Sequence, residues 1–198
     1  MTFRFEEKYF IERKDIVTLK NYLKKLNLKQ LYIPRKISSI YFDNIHNDMF
    51  LHSEEGIVPR KKIRIRHYPE YSNFHKWYLE YKINSTEGKF KTKHILNEEN
   101  FQNYLKKGIF DKIYGNCAPK SIVSYKRDYY FLSNARITID TEIKYKKFNS
   151  SSFFYNEKIA VIEFKSNQLE NIKNFYQKIV FNRVRFSKYY NSVINLKL

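Results

Sequence analysis

The stretch Lys62-Ile63-Arg64-Ile65-Arg66 alternates basic and apolar residues over five positions. Successive side chains of a β-strand point to opposite faces of the sheet, so this alternation predicts a strand with two unlike faces. Lys62, Arg64 and Arg66 share one face, and both isoleucines take the other. The apolar face is typical of a sheet that covers a core, whereas the cationic face requires an anionic partner.

Three further segments place charged residues on one face of a predicted strand: Glu80-Tyr81-Lys82, Lys89-Phe90-Lys91-Thr92-Lys93 and Glu163-Phe164-Lys165. A sheet that collects several such faces forms a channel for a polyanion. Because lysine and arginine are the side chains that bind phosphate oxygens, the sequence predicts a phosphate-binding face.

The composition fits one folded domain over residues 1–198. Of the 198 residues, 42% are hydrophobic and 18% aromatic, and these fractions argue against disorder. The sequence has no run of about 18 apolar residues, so we expect no membrane span. Its N-terminus does not follow the basic-then-apolar pattern of a secretory signal. A single cysteine, Cys117, excludes an internal disulfide and a multi-cysteine zinc site, so we expect a cytoplasmic location.

The formal net charge of +18 indicates an anionic partner, which could be a phosphate compound, nucleic acid or a membrane surface. The excess of lysine also fits an AT-biased genome. Arginine is the better indicator, because several arginines fall in predicted strands, where solvated charge has no need to lie. These are Arg4, Arg64, Arg66, Arg127 and Arg136.

Hydrophobic periodicity predicts eight strands and four helices. The strands cover residues 3–11, 37–43, 61–68, 76–83, 89–96, 121–131, 135–141 and 158–165. The helices cover residues 13–29, 98–107, 168–181 and 186–197. We therefore expect an α+β, mainly β fold. Its eight antiparallel strands would close into a barrel with a few flanking helices, because closure removes exposed sheet edges.

The interior of an eight-stranded barrel is wide enough for side chains or one narrow ligand. If the charged faces point inward, they line this interior with Arg4, Lys8, Arg64, Arg66, Lys82, Lys91, Lys93, Arg127, Arg136 and Lys165, together with Glu6, Glu80, Asp140 and Glu163. Two like charges about 8 Å apart repel by roughly 2 kcal/mol at an effective dielectric of about 20. Such an interior requires water and a counter-anion, which a chain of phosphates supplies.

Eight motifs follow one another along the chain: Arg4-x-Glu6-x-Lys8, Tyr41-Phe42-Asp43, Lys62-Ile63-Arg64-Ile65-Arg66-x-Tyr68, Leu79-Glu80-x-Lys82, Tyr125-x-Arg127, Arg136-Ile137-Thr138-Ile139-Asp140, Ile162-Glu163-x-Lys165 and Arg185-Phe186-Ser187-Lys188-Tyr189. In this order they resemble the catalytic domain of the vacuolar transporter chaperone polyphosphate polymerases and its bacterial relatives, which belong to the triphosphate tunnel metalloenzymes. Each motif alone is weak, but the resemblance covers essentially the whole chain.

The resemblance implies a polymerase that transfers the γ-phosphate of ATP to a growing inorganic polyphosphate chain in a basic tunnel, with Mn²⁺ or Mg²⁺ bound. It implies catalytic roles for Lys8, Arg64, Arg66, Lys82, Arg127, Arg136 and Lys165. It implies substrate binding by Tyr125, Lys91, Lys93, Arg185, Ser187 and Lys188, with the register between Lys91 and Lys93 left open. As metal ligands it implies Glu163 and Glu6.

Two other functions stay open. Arg4 stands where the related triphosphatases have the first glutamate of a Glu-x-Glu-x-Lys motif, which favours the polymerase branch. Even so, hydrolysis of tripolyphosphate or of a nucleoside triphosphate needs only water as the acceptor in place of a phosphate chain. A module that holds polyphosphate or nucleic acid without turnover is the other alternative. Nucleic acid is not the expected partner, since the aromatic residues largely alternate away from the cationic face.

Five carboxylates also have structural interpretations. Glu6, Glu80 and Glu163 could pair with basic neighbours across strands, which is a common arrangement in sheets. For Glu163 the resemblance favours the role of metal ligand. Asp43 and Asp140 are expected to satisfy turns or basic partners rather than a metal ion.

Overall fold

The computed structural model describes residues 5–69, 76–153, 155–168 and 182–198 of the chain. Its strands are β1 (Phe5–Glu12), β2 (Lys29–Asp43), β3 (Arg60–His67), β4 (Trp77–Ser85), β5 (Gly88–Leu96), β6 (Ile109–Asp111), β7 (Gly115–Leu132), β8 (Ala135–Lys147), β9 (Tyr155–Asn156), β10 (Ile159–Ser166) and β11 (Asn182–Arg183). Its helices are α1 (Ile16–Lys25), α2 (Asp48–Glu55), α3 (Glu98–Lys107) and α4 (Lys188–Leu196). Within these ranges, no helix has the length and hydropathy needed to cross a membrane. The predicted helix at 168–181 lies, apart from its first residue, outside the described residues.

The strands form an antiparallel sheet in the order β11-β1-β10-β8-β7-β2-β3-β4-β5, with β6 paired to β7 and β9 to β8. The predicted mainly β fold with flanking helices is confirmed. The prediction that eight strands close into a barrel is wrong, because in the described part of the chain β11 and β5 end the sheet without pairing to each other. β5 protects its edge without closure, since its exposed Lys89, Lys91 and Lys93 hinder pairing with another strand.

The chain divides into two compact units. Unit one comprises Met1–Lys36, Tyr125–Ile143 and Asn156–Phe186, and unit two comprises Ile37–Ser124, Lys144–Tyr155 and Ser187–Leu198. β2, β7 and β8 contribute residues to both units, so neither unit is a continuous piece of chain. The assignment of residues 1–198 to a single domain stays a prediction.

The core of unit one forms where α1 packs on the apolar face of β1, β10 and β8. Leu19 and Leu23 lie one turn apart on α1 and are both buried in this cluster with Ile137, Ile139 and Ile162. The helix is shorter than the predicted 13–29. It follows a 3-10 turn at Arg13–Asp15, and it ends before Asn27, whose φ of 62° is left-handed.

The core of unit two includes Ile63 and Ile65, which are fully buried. They are the two apolar residues of the alternating stretch 62–66. Asp43 is buried at the end of β2, and its carboxylate accepts hydrogen bonds from the backbone amides of Met49 and Phe50, each at 3.0 Å. The same carboxylate accepts a 2.6 Å hydrogen bond from the hydroxyl of Tyr189 on α4. Asp43 therefore fixes α2 and α4 against the end of β2, in agreement with a structural role.

We predict that Leu23→Ala lowers the free energy of unfolding by about 2–5 kcal/mol, because it removes a side chain that is 1% exposed and leaves a cavity under α1. Val17→Ala on the same helix is the control. Val17 is 66% exposed, so its truncation should change stability by less than about 0.5 kcal/mol. Urea titrations followed by circular dichroism measure both values, and equal losses would contradict the packing of α1 described above.

Candidate functional site

In unit one, three strands present ionic side chains on the face opposite the core. The antiparallel register places Glu6 of β1 opposite Lys165 of β10, and Lys165 opposite Arg136 of β8. In the next row, Lys8 lies opposite Glu163. All five residues therefore share one face, as strand alternation predicts.

Lys165 joins the two glutamates of this face. Its Nζ lies 3.0 Å from Oε2 of Glu6 and 2.5 Å from Oε1 of Glu163. Nζ of Lys8 lies 3.3 Å from Oε1 of Glu6 and donates to the backbone oxygen of Phe186 at 3.0 Å. Burial lowers the pKa of Lys165, and the charges of the nearby Arg136 and Lys8 lower it further, while Glu6 acts in the opposite direction.

These contacts test whether the residues fit a divalent cation. Glu6 and Glu163 direct one oxygen each at the same ammonium group, so two hard oxygen donors converge on one positive charge. Carboxylate oxygens are the ligands that Mg²⁺ prefers, and Mg²⁺ fills its remaining positions with water and phosphate oxygens. Within the described ranges, no group of three or more His, Cys, Asp or Glu side chains could hold a metal ion. The two glutamates thus fit an ion that shares its shell with substrate.

Arg127 is held on the same face of unit one by a bidentate ion pair. Its Nε and Nη2 lie 2.5 and 2.7 Å from the two carboxylate oxygens of Asp140, which is buried. Burial acts to lower the pKa of Arg127, but Asp140 outweighs it and holds the pKa above the usual arginine range. The guanidinium carbon also lies 5.2 Å from the ring centre of Tyr125, which is buried. Asp140 therefore partners a basic residue, as expected.

In unit two, four neighbouring strands carry polar side chains on the face opposite Ile63 and Ile65. The register arranges them in three rows across β2 to β5: Lys62, Lys82 and Lys91; Tyr41, Arg64, Glu80 and Lys93; and Ser39, Arg66 and Tyr78. Lys91 and Lys93 both lie on this face, opposite Lys82 and Glu80 respectively.

Glu80 is the centre of these rows, and its side chain is only 1% exposed. Arg64 donates to Oε2 of Glu80 from Nε at 2.8 Å and from Nη2 at 2.5 Å. Lys91 donates to Oε1 at 2.7 Å, and Arg66 lies 4.0 Å from Oε2. Burial raises the pKa of Glu80, but Arg64 and Arg66 outweigh it and lower the pKa to about 2. The structural interpretation of Glu80, pairing across strands, is confirmed.

The sequence analysis assigned no role to two partners of these arginines. Tyr41 accepts a hydrogen bond from Nη1 of Arg64 at 3.1 Å, and Ser39 accepts a longer one from Nε of Arg66 at 3.4 Å. Both lie directly opposite their arginine across β2 and β3, so only the strand register identifies them.

Lys62, Lys82 and Lys91 lie directly opposite one another on three adjacent strands, and we call them the lysine row. Like charges in directly opposite positions destabilise a sheet. Lys82 and Lys91 are exposed, and Nζ of Lys62 donates to Oγ of Ser187 at 2.8 Å. An anion at the lysine row would relieve this repulsion.

The remaining predicted residues lie near the C-terminus or outside the described ranges. Ser187 is the N-cap of α4, and its Oγ accepts from the backbone amide of Tyr190 at 3.4 Å. Lys188 is the first residue of α4 and is half-buried, whereas Arg185 is exposed. Arg4 lies outside the described residues. The structure thus groups the predicted residues into one polar face on each unit.

Comparison with known proteins agrees with this architecture. A family model described as the VTC domain matches residues 3–197.

Solved structures share the fold. A proposed adenylate cyclase from Bacillus halodurans superimposes with a TM-score of 0.65 at 12% identity, over 96% of this chain and 95% of its own. The PH1819 protein from Pyrococcus horikoshii gives 0.61 at 12% identity over 98% and 99%. A proposed adenylate cyclase from Vibrio parahaemolyticus gives 0.55 at 13% identity over 98% of both chains. At these identities the matches show a shared fold, the triphosphate tunnel fold. No curated protein matches the chain in sequence.

We predict that Glu80 makes the protein sensitive to acid. Its folded-state pKa of about 2 is below the ordinary glutamate pKa of 4.5, so its stabilisation is present above pH 4.5 and is lost as the pH falls toward 2. A shift of this size corresponds to about 3 kcal/mol. Glu80→Gln should remove that part of the pH dependence, and it should also lower stability at neutral pH because buried Arg64 loses its charged partner.

Denaturant unfolding of wild type and variant over this pH range, at constant ionic strength, measures the difference. Glu98→Gln on the exposed start of α3 is the control, and it should keep the wild-type pH dependence. Parallel curves for wild type and Glu80→Gln would contradict the charge network.

Proposed function

The chain belongs to the VTC domain family, and on that premise we propose that it is a polyphosphate polymerase that uses ATP. In the proposed reaction, a terminal oxygen of an inorganic polyphosphate chain attacks the γ-phosphorus of ATP. The bond from that phosphorus to the β,γ-bridging oxygen breaks, and ADP leaves with the electron pair. The acceptor chain is one phosphate longer after each turn.

The observation that carries the proposal is the grouping of predicted cationic residues on one face in each unit. Phosphoryl transfer needs little covalent chemistry from the protein, and it depends on positioning and on positive charge near the phosphate oxygens. A polar face with several cations at the spacing of neighbouring strands supplies both. It also explains why sheet strands carry charge that ordinary solvation does not require.

Unit two supplies both buried and exposed cations. Arg64 is buried and held by Glu80 and Tyr41, so it presents its charge at a fixed position. Lys82, Lys91 and Lys93 are exposed, so their charges are accessible to phosphates, and Lys91 is also held by Glu80 at 2.7 Å.

Unit one supplies the candidate cation ligands. Glu6 and Glu163 would hold Mn²⁺ or Mg²⁺, which neutralises charge on phosphate oxygens when bound. Lys165 neutralises both carboxylates in the structure described above. In the working enzyme, Lys8, Lys165 and Arg136 donate hydrogen bonds to phosphate oxygens. Arg127 adds a charge whose orientation Asp140 fixes.

No nucleophilic side chain is required in this scheme. Cys117 is fully buried, and burial raises its pKa to about 12, so its thiol stays protonated near neutral pH. This supports direct transfer between phosphates over a covalent enzyme intermediate at that residue.

The test is the product formed from ATP and Mn²⁺ by the purified protein. We predict long phosphate chains, which a polyacrylamide gel resolves from orthophosphate. Release of orthophosphate alone would establish the triphosphatase alternative, and cyclic AMP would establish the activity proposed for the structural relatives from Bacillus and Vibrio. Either result without chains contradicts the polymerase proposal.

Glu163→Gln should separate binding from chemistry. The change keeps the size of the side chain and removes one negative charge beside Lys165, so tripolyphosphate should bind at least as tightly as to the wild type. Mn²⁺-dependent chain synthesis should fall by at least about a hundredfold, because the cation loses a carboxylate ligand. Calorimetric titration and gel analysis measure the two effects, and chain synthesis at the wild-type rate would show that Glu163 is not a ligand.

A further inference from the structure

Thr138 carries a buried hydroxyl that has no hydrogen-bond partner among the described residues. The residue is 3% exposed, and its Oγ1 is shielded from solvent. Burying a hydroxyl without a partner is costly, and most buried polar side chains are paired. An unpaired hydroxyl at this place in the sheet therefore calls for an explanation.

The strand register gives Thr138 a specific neighbour. Thr138 of β8 lies directly opposite Glu163 of β10, and Glu163 lies directly opposite Lys8 of β1. All three side chains share the polar face of unit one. Side chains in directly opposite positions have Cβ atoms about 4.5–5.5 Å apart, so a threonine hydroxyl can reach a glutamate carboxylate after rotation about side-chain bonds.

In the described structure the carboxylate of Glu163 is directed elsewhere. Its Oε1 lies 2.5 Å from Nζ of Lys165, which also contacts Glu6. Glu163 has a second carboxylate oxygen that can accept a hydrogen bond from this hydroxyl. The donor that lacks an acceptor and the proposed cation ligand are thus direct neighbours.

We propose that Thr138 is a positioning residue for Glu163. Its hydroxyl donates a hydrogen bond to one carboxylate oxygen and so orients the other toward a divalent cation. The inference rests on the proposed function, since it requires Glu163 to bind a cation. It adds a residue that touches neither cation nor phosphate. Carboxylates that bind metal ions are themselves commonly hydrogen-bonded, and loss of such a partner typically weakens metal affinity 10- to 100-fold.

The test compares variants that separate the hydroxyl from the shape of the side chain. Thr138→Val keeps the shape and removes the hydroxyl. It should melt no lower than the wild type, yet bind Mn²⁺ in the presence of tripolyphosphate about 10- to 100-fold more weakly. Thr138→Ser keeps the hydroxyl and should bind Mn²⁺ within about threefold of wild type, even if it melts lower. Thr138→Ala provides a second hydroxyl-free variant if the valine variant does not fold.

Ile139→Val is the matched control, because Ile139 is the next residue on β8 and is fully buried on the apolar face. It should lower the melting temperature and leave Mn²⁺ affinity unchanged. Isothermal titration calorimetry gives the affinities, and differential scanning calorimetry gives the melting temperatures.

The outcomes distinguish this inference from the proposed function. If the wild type does not bind Mn²⁺, or Glu163→Gln binds it equally well, both the cation assignment and the role of Thr138 are overturned. If Glu163→Gln loses affinity but Thr138→Val keeps it, only the role of Thr138 is overturned. Equal losses for Thr138→Val and Thr138→Ser would also overturn it, since the hydroxyl would then make no difference.

Discussion

Charge compensation on the polar face of each unit is the constraint on which the rest of the structure depends. Strand alternation forces Lys62, Arg64 and Arg66 onto one face. The register adds Lys82 on β4 and Lys91 and Lys93 on β5 to the same face. Glu80 offsets part of this charge through contacts with Arg64 and Lys91. Lys91 belongs both to this network and to the lysine row, whose like charges face one another. A bound polyanion is the physical complement of such a surface.

The carboxylates of the two units differ in exposure, and the difference separates their roles. Glu80 is held by cations at 1% exposure, so it stabilises the sheet and fixes Arg64. The side chains of Glu6 and Glu163 are 25% and 11% exposed, and both contact the one ammonium group of Lys165. A divalent cation could take the place of the Lys165 ammonium group between the two glutamates without changing the packing of the core. The apolar cluster of unit one lies on the opposite face of the sheet. The same motif, Glu-x-Lys, therefore has a structural role in unit two and a proposed catalytic role in unit one.

Period-two alternation was sufficient to predict which residues share a face, and the eight ordered motifs predicted the family.

The alternation pattern did not predict features that depend on contacts between residues far apart in the sequence. The extension of β2 back to Lys29 carries exposed Leu31, Tyr32 and Ile33, so it lacks an alternating pattern. Helix α2 depends on the buried carboxylate of Asp43 rather than on a strong pattern of its own. Barrel closure was predicted from the need to hide edges, but charged lysines on β5 meet that need in an open sheet. Thr138 lies inside one of the eight motifs but received no role, because threonine is common in strands and only the register places it opposite Glu163.

The central claim is that these cationic faces bind chains of phosphate rather than anions in general. Thermal unfolding in tripolyphosphate, compared with sodium chloride at equal ionic strength, tests it most directly. A ligand at a hundredfold excess over its Kd stabilises the folded state by about 2.7 kcal/mol, so tripolyphosphate should raise the melting temperature more than chloride. Lys82→Ala in the lysine row should reduce this difference, whereas Lys24→Ala on the exposed face of α1 should not. Equal shifts from the two salts would contradict the account and leave only a basic surface.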